Sequence, residues 1–280
     1  MNRFPPGFEA DHDLRSEFIR KITLLQLDDA STATSHLDAR APSIPRRLVR
    51  FWHDASNVPA DVRACLDTWN RLADEGFEFL MFDDESAGAY IESNYGVRER
   101  SAFARCEHPA MRCDYFRMCF LLEEGGFYVD ADDVLLEDSS SRLNRLFNDP
   151  RMKIQPLGFN LSAGVMLKSQ DLWRPELETE NRVFYVANDP IIVPAGHPLL
   201  RRALRDATEK LLDDDEVPDI QHMTGPGNLT AALAAYAREL LLAGSPPDFE
   251  LIRDWDSIAE VHWDLAYRRD ARNWRSVYPC

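Results

Sequence analysis

The stretch that most constrains this chain is "HPAMRCDYFRMCFLLEEGGFYVDADDVLLED", residues 108–138. Pro109 suits the first turn of a helix, and Gly125 and Gly126 stop it. After Asp114 the segment is apolar almost all round, so the spacing predicts a helix buried in the core. Asp114 and Arg117 are the polar exceptions, and at i,i+3 they share one face, where they can pair with each other or with a ligand. "FYVD" then reads as a short central strand. Its period of two sends Asp130 and Asp132 to one side and Asp133 to the other, where it caps or solvates the turn.

Two carboxylates converging at a strand end repel each other, and a divalent cation or a shared proton resolves the conflict. In open α/β sheets ligands sit beyond the carboxyl ends of strands, where this pair would fall. Magnesium or manganese takes one or two protein carboxylates and completes its shell with water and phosphate oxygens. An EF-hand is excluded, because the positions needing an oxygen ligand, a glycine and a glutamate are Val134, Leu135 and Ser141. A haloacid-dehalogenase-type phosphatase is a rival, with Asp130 as nucleophile and Asp132 as acid/base. Its signature normally opens the domain, however, and here an apparent α/β segment precedes it.

Upstream, "RLVRFW", "ADVRACLDTWNRLADEG" and "FEFLMFDD" read as strand, helix and strand, with Gly76 closing the helix. This order argues for an α/β layer with a largely parallel sheet. Residues 1–43 read as an arm with one amphipathic segment and the breaker-rich exit "ARAPSIP"; residues 44–280 form a single catalytic-size domain. A helix from Leu199 to Leu212 and the "HMTGPGNLTAALAAYARELLLAG" segment follow, and "LLDDDEVPD" is an acidic helix exit.

The formal net charge is −16, from 32 basic and 48 acidic side chains, which opposes nucleic acid and anionic membranes as partners. An anionic ligand would need a metal ion or a local basic pocket. No segment has the length of a membrane span and the N-terminus lacks a signal-peptide pattern, so the expected compartment is the cytoplasm, with a secreted effector also compatible. Cys65, Cys106, Cys113, Cys119 and Cys280 form no CxxC pair; four are expected as core or helix-face thiols and Cys280 as a free tail residue.

In this order, "IPRRLVRFWHD", "AMRCDYFRMCFLLEEGGFYVDADDVLLE", "VANDPIIVPAGHPLL" and "TGPGNL" resemble the DXD-containing glycosyltransferases. These include yeast-type initiating α-mannosyltransferases and, more distantly, glucosylating domains of large clostridial toxins. The resemblance runs from Ile44 to Trp274. It implies a GT-A (Rossmann-like) fold, preceded here by the N-terminal helical arm read above, and a retaining transfer from a UDP- or GDP-linked sugar with Mn2+ or Mg2+. The acceptor, whether glycan, small molecule or protein, is not implied.

By the same resemblance, Trp52 would stack on the donor base, although a core tryptophan reads the same in sequence. Asp114 and Arg117 would be the catalytic pair, contacting donor sugar hydroxyls and phosphate, with a buried structural ion pair as the plain alternative. Asp130 would touch ribose and metal, and Asp132 would bind the metal. Asn188 falls on the donor side, though a turn role before Asp189-Pro190 also fits. His262, as metal ligand, and Trp274, on the donor, are the nearest matches to a C-terminal histidine and Ser-Trp, but Asn273 stands in place of serine. Cys113 stands where serine or lysine is usual. A phosphohydrolase and a non-catalytic nucleotide-sugar-binding relative remain the alternatives.

Overall fold

The computed structural model describes residues 3–29, 43–215 and 219–277. Its strands are β1 (Arg47–Phe51), β2 (Glu78–Phe82), β3 (Gly126–Tyr128), β4 (Asp133–Leu135), β5 (Met152–Asn160), β6 (Val165–Met166), β7 (Arg182–Val193), β8 (Phe249–Leu251) and β9 (Ala259–Val261). The helices are α1 (His12–Asp29), α2 (Ala60–Thr68), α3 (Asp84–Asn94), α4 (Val97–Ala104), α5 (Pro109–Glu124), α6 (Ser140–Leu146), α7 (Pro198–Leu212), α8 (Ile220–Met223), α9 (Pro226–Ala243) and α10 (Trp274–Val277).

The central sheet runs β2-β1-β3-β7-β5-β6, with β8 on β5, and β4 pairs separately with β9. The β2-β1-β3 half is parallel, as the strand–helix–strand pattern predicted. From β7 onward the sheet turns mixed: β7 is antiparallel to both β3 and β5, and only β8 resumes parallel pairing. The α/β class therefore holds, and the parallel half is the Rossmann-like part that the GT-A expectation requires. Alternation along the central strands feeds cores on both faces. Val49 and Tyr128 join one cluster with α5 and α9; Leu48 and Phe127 join another around Trp69 and Trp255.

Helix α5 forms as predicted, with His108 capping Ala110 N and Pro109 in the first turn. Its apolar positions from Tyr115 to Leu122 are buried. The paired glycines then turn the chain straight into β3. Both have positive φ (66° and 115°), and a Cβ would lie 2.6 Å from Ala195 N at Gly125 and 2.7 Å from Arg47 O at Gly126. No side chain fits between α5 and the sheet here, which fixes the distance from Arg117 to the strand end.

The helical part of the N-terminal segment, expected as an arm, packs into the body. Phe4, Phe8 and Phe18 meet edge-to-face and belong to the main core with Ile19 and Ile22. Ser16 Oγ accepts the Phe184 N–H at 2.8 Å, tying α1 to β7. Residues 30–42, which include most of the expected exit, lie outside the described residues, as does Cys280. Cys65, Cys106 and Cys119 are buried and Cys113 is half-buried, all with free thiols. No described helix is long and apolar enough to cross a membrane.

Candidate functional site

The site lies at the carboxyl ends of β1 and β3. Four of the expected residues come together there. From α5, Arg117 reaches Asp130 Oδ1 with Nη2 at 2.8 Å and Asp114 Oδ1 at 3.1 Å, while Nη1 donates to the Asn188 carbonyl. Asn188 Nδ2 donates to Asp114 Oδ1 at 2.8 Å. One arginine thus bridges two carboxylates, and one asparagine clamps both members of the helix pair. Tyr128 Oη donates to Asp130 Oδ1 at 2.7 Å, its ring lies 4.0 Å beneath the Arg117 guanidinium, and Cys113 Sγ sits 2.8 Å from its hydroxyl.

Asn188 reaches this point through an irregularity in β7. Ile154 pairs with Ile191 and Pro156 with Val186, so residues 187–190 of β7 bulge opposite Gln155. Such bulges re-aim side chains. Thr224, just before α9, completes the Asp114 environment, its hydroxyl 3.4 Å from Oδ2. Gly225 and Gly227 let that turn close: a Cβ would stand 2.9 Å from Ile220 O and 2.6 Å from Gln221 O respectively.

Electrostatics follow from burial. Asp114 is raised to about 7, chiefly by burial, against the attraction of Arg117 and with a push from Asp130. Burial pushes the Cys113 thiol up to about 12. Asp130 is the open member, with its side chain 38% exposed and the hydrogen bonds from Arg117 and Tyr128 both falling on Oδ1.

The acidic turn departs from the sequence reading. β3 ends at Tyr128, Ala131 and Asp132 form a turn, and Asp133 opens β4, so strand alternation does not set these three directions. Asp133 is not solvated: it is 2% exposed and shares a hydrogen bond with the Asp189 carboxyl. Both carboxyls are held well above the usual carboxylate range by burial and by their acidic neighbours. Asp189 also accepts the Asp130 N–H at 2.9 Å, fixing the turn from below. The sequence reading assigned Asp189 no role of its own, only a place after Asn188.

Asp132 is buried and its Oδ2 accepts from Tyr267 Oη at 2.5 Å and from Arg268 Nη2. Neither residue is flagged by any local pattern. His262 lies beside this aspartate through its backbone, N–H to Asp132 O at 2.8 Å, but its side chain is exposed. Among the described residues no three His, Cys, Asp or Glu side chains gather as a metal cage, so His262 does not join the two aspartates. Trp52 follows β1, 7% exposed, in a small cluster with Val62, Leu66, Ala131 and Leu265. Tyr267 meets its ring edge-on at 5.4 Å, and the indole Nε1 has no acceptor among the described residues. Trp274 instead packs against the main core.

The donor set suits a hard cation all the same. Asp130 and Asp132 supply the one or two carboxylates that magnesium or manganese takes when phosphate and water complete the shell. Arg268 already places positive charge on Asp132, a stand-in for that ion.

Residues 59–151, from α2 through α6, match the family described as a glycosyltransferase sugar-binding region containing a DXD motif. The chain is similar to the DXD-containing glycosyltransferases. The matched segment contains Asp114, Arg117, Asp130 and Asp132. Two relatives are named initiation-specific α-1,6-mannosyltransferase. The one from Schizosaccharomyces pombe is 26% identical over 59% of this chain and 42% of its own length. The one from Candida albicans is 24% identical over 85% of this chain and 65% of its own length. The chain thus spans less than two thirds of either. Among solved structures, the PaToxG glycosyltransferase superposes with a TM-score of 0.49 at 14% identity, covering 94% of this chain and 97% of that one. The UDP-bound glycosyltransferase domain of the YGT toxin gives 0.34 at 11%, covering 89% and 71%.

Proposed function

We propose that this chain is a GT-A glycosyltransferase that takes its sugar from a nucleoside diphosphate, UDP or GDP, with Mn2+ or Mg2+ held by Asp130 and Asp132. The observation that carries the reading is a coincidence of two things. The Asp114–Arg117–Asp130 ion-pair chain sits at a strand's carboxyl end, and the segment that holds it is the one matching a sugar-binding family.

Each residue then has a chemical task. A divalent cation, when bound, supplies Lewis-acid charge to the leaving diphosphate. Arg117 adds a second positive charge, pre-set by Tyr128 and Asn188 so that no reorganisation accompanies reaction. Asp114, clamped by Asn188 and Thr224, presents a carboxyl to the sugar hydroxyls and fixes the ring's orientation. Trp52 offers its face to the base. We assign retention at the anomeric carbon and name no nucleophile. The acceptor is a glycan, a small molecule or a protein.

A thermal-shift panel of UDP- and GDP-sugars with and without Mn2+ tests this, with a mannosyl donor first because both relatives are named for mannosyl transfer. Metal-dependent stabilisation by a nucleotide sugar, followed by slow donor hydrolysis, is the expected result. Stabilisation without hydrolysis points to a non-catalytic binder. Turnover of aryl phosphates with no nucleotide response would remove the transferase reading in favour of a phosphohydrolase.

A further inference from the structure

The carboxylate Asp132 carries a guanidinium of the chain's own on Oδ2, one of the two oxygens it could offer a divalent cation. Arg268 and Asp132 pair with side chains only 17% and 12% exposed, and Tyr267 donates to the same oxygen. A guanidinium and a divalent ion cannot both sit on one poorly solvated carboxylate oxygen, because their repulsion at that distance is weakly screened. A cation that takes Oδ2 therefore has to displace Arg268.

The backbone around Arg268 is held on both sides, which limits where it can go. Before it, β9 pairs with β4, Leu265 is 1% exposed, and Ala266 N–H donates to Asp61 Oδ2 at 2.7 Å. After it, Asn273 Nδ2 donates to the Arg268 carbonyl at 2.8 Å. Only the side chain is at liberty to swing. Two features favour an anion as its next partner. Its Nε has no acceptor among the described residues, so the planar fork is not saturated by Asp132. Its guanidinium also lies 4.5 Å over the ring of the exposed Trp263 while it is paired with Asp132, so the fork sits beside the protein surface, where an anionic ligand can reach it.

We infer that Arg268 is a two-position site residue: it occupies Asp132 while the site is empty, and passes to the donor diphosphate when a divalent cation takes that carboxylate. This rests on the donor reading above and deepens it, because it assigns a second arginine to the diphosphate. It also makes the chain's own cation a competitor of the metal. The consequence is a pair of effects of opposite sign from one substitution, which a purely structural role would not produce.

The test uses the full chain and two variants, Arg268→Gln and Arg268→Lys. MnCl2 is titrated by calorimetry into protein without nucleotide, and UDP and GDP are titrated at saturating Mn2+. Arg268→Gln should bind Mn2+ about tenfold more tightly and the nucleotide about tenfold more weakly. Arg268→Lys, which keeps the charge without the fork, should fall between on both and guards against misfolding of the glutamine variant. Two constants that move in the same direction, or do not move, overturn the inference while leaving the donor reading intact. A wild-type protein that binds neither Mn2+ nor either nucleotide removes both.

Discussion

Asp114→Asn replaces a carboxyl that burial holds near neutrality with a side chain of the same shape that cannot titrate, and its effect should appear in the pH dependence of stability. In the folded protein Asp114 ionises near pH 7, whereas in the unfolded chain it ionises near 3.8. Between these values the native state holds one proton more than the unfolded state, so unfolding free energy falls as pH rises, by about 1.4 kcal/mol per unit. The contribution is fully present below 3.8 and is lost as pH passes through about 7. Across the whole window that amounts to about 4 kcal/mol, roughly half of it between pH 5 and 7. Asparagine mimics the protonated acid, so the two proteins should be closest in stability near and below pH 3.8, and the variant should gain on the wild type from there upward. By pH 8 the variant should be the more stable. Urea unfolding of both proteins at pH 5, 6, 7 and 8 and constant ionic strength reads the difference directly, since the other acids titrate in both proteins. A difference that does not change with pH would show that Arg117 keeps the carboxylate ionised throughout, and the argument from burial would fail. On the role proposed for Asp114, the same variant should also lose sugar transfer.

Three further outcomes follow from packing and burial. Phe18→Ala should cost about 3–5 kcal/mol in denaturant unfolding, as for other fully buried aromatics; a loss below about 1 kcal/mol would mark α1 as a dispensable arm. Gly225→Ala forces a Cβ to 2.9 Å from Ile220 O and 3.5 Å from Asp114 Oδ2. It should destabilise by about 1–3 kcal/mol and weaken donor binding, and a variant that matches wild type in both melt and titration would contradict the tight turn. The Cys113 thiol, pushed up to about 12, should resist iodoacetamide at pH 8 in the folded protein and react once unfolded, as followed by peptide mass spectrometry.

What could be read from sequence was whatever the chain encodes locally. Pro109, the apolar run and the two glycines specify α5 and its stop within one contiguous stretch, so the helix and the Asp114–Arg117 face were legible. Asn188 was legible only through resemblance, because it reaches Asp114 by way of a bulge whose partner strand is about thirty residues upstream. Asp133 was misjudged for a physical reason. Period-two reasoning needs a continuous strand, and here the strand stops at Tyr128 before the acids begin. Its burial then depends on Asp189, delivered from β7. Tyr267 and Arg268 could not be found, since their contacts to Asp132 span 135 and 136 residues and "AYRRD" looks like any solvated turn.

The electrostatic problem posed by the aspartate turn is solved by different means at each position. Asp130 is matched by Arg117, Asp132 by Arg268, and Asp133 and Asp189 by burial that keeps them protonated against each other. A chain of net charge −16 would repel a nucleoside diphosphate everywhere else on its surface. At this turn two arginines stand on two carboxylates, so a divalent cation that displaced Arg268 from Asp132 would leave a guanidinium and an ion side by side. On the proposed function that pair would be the local reversal of sign an anionic donor requires, held in place by the acids themselves.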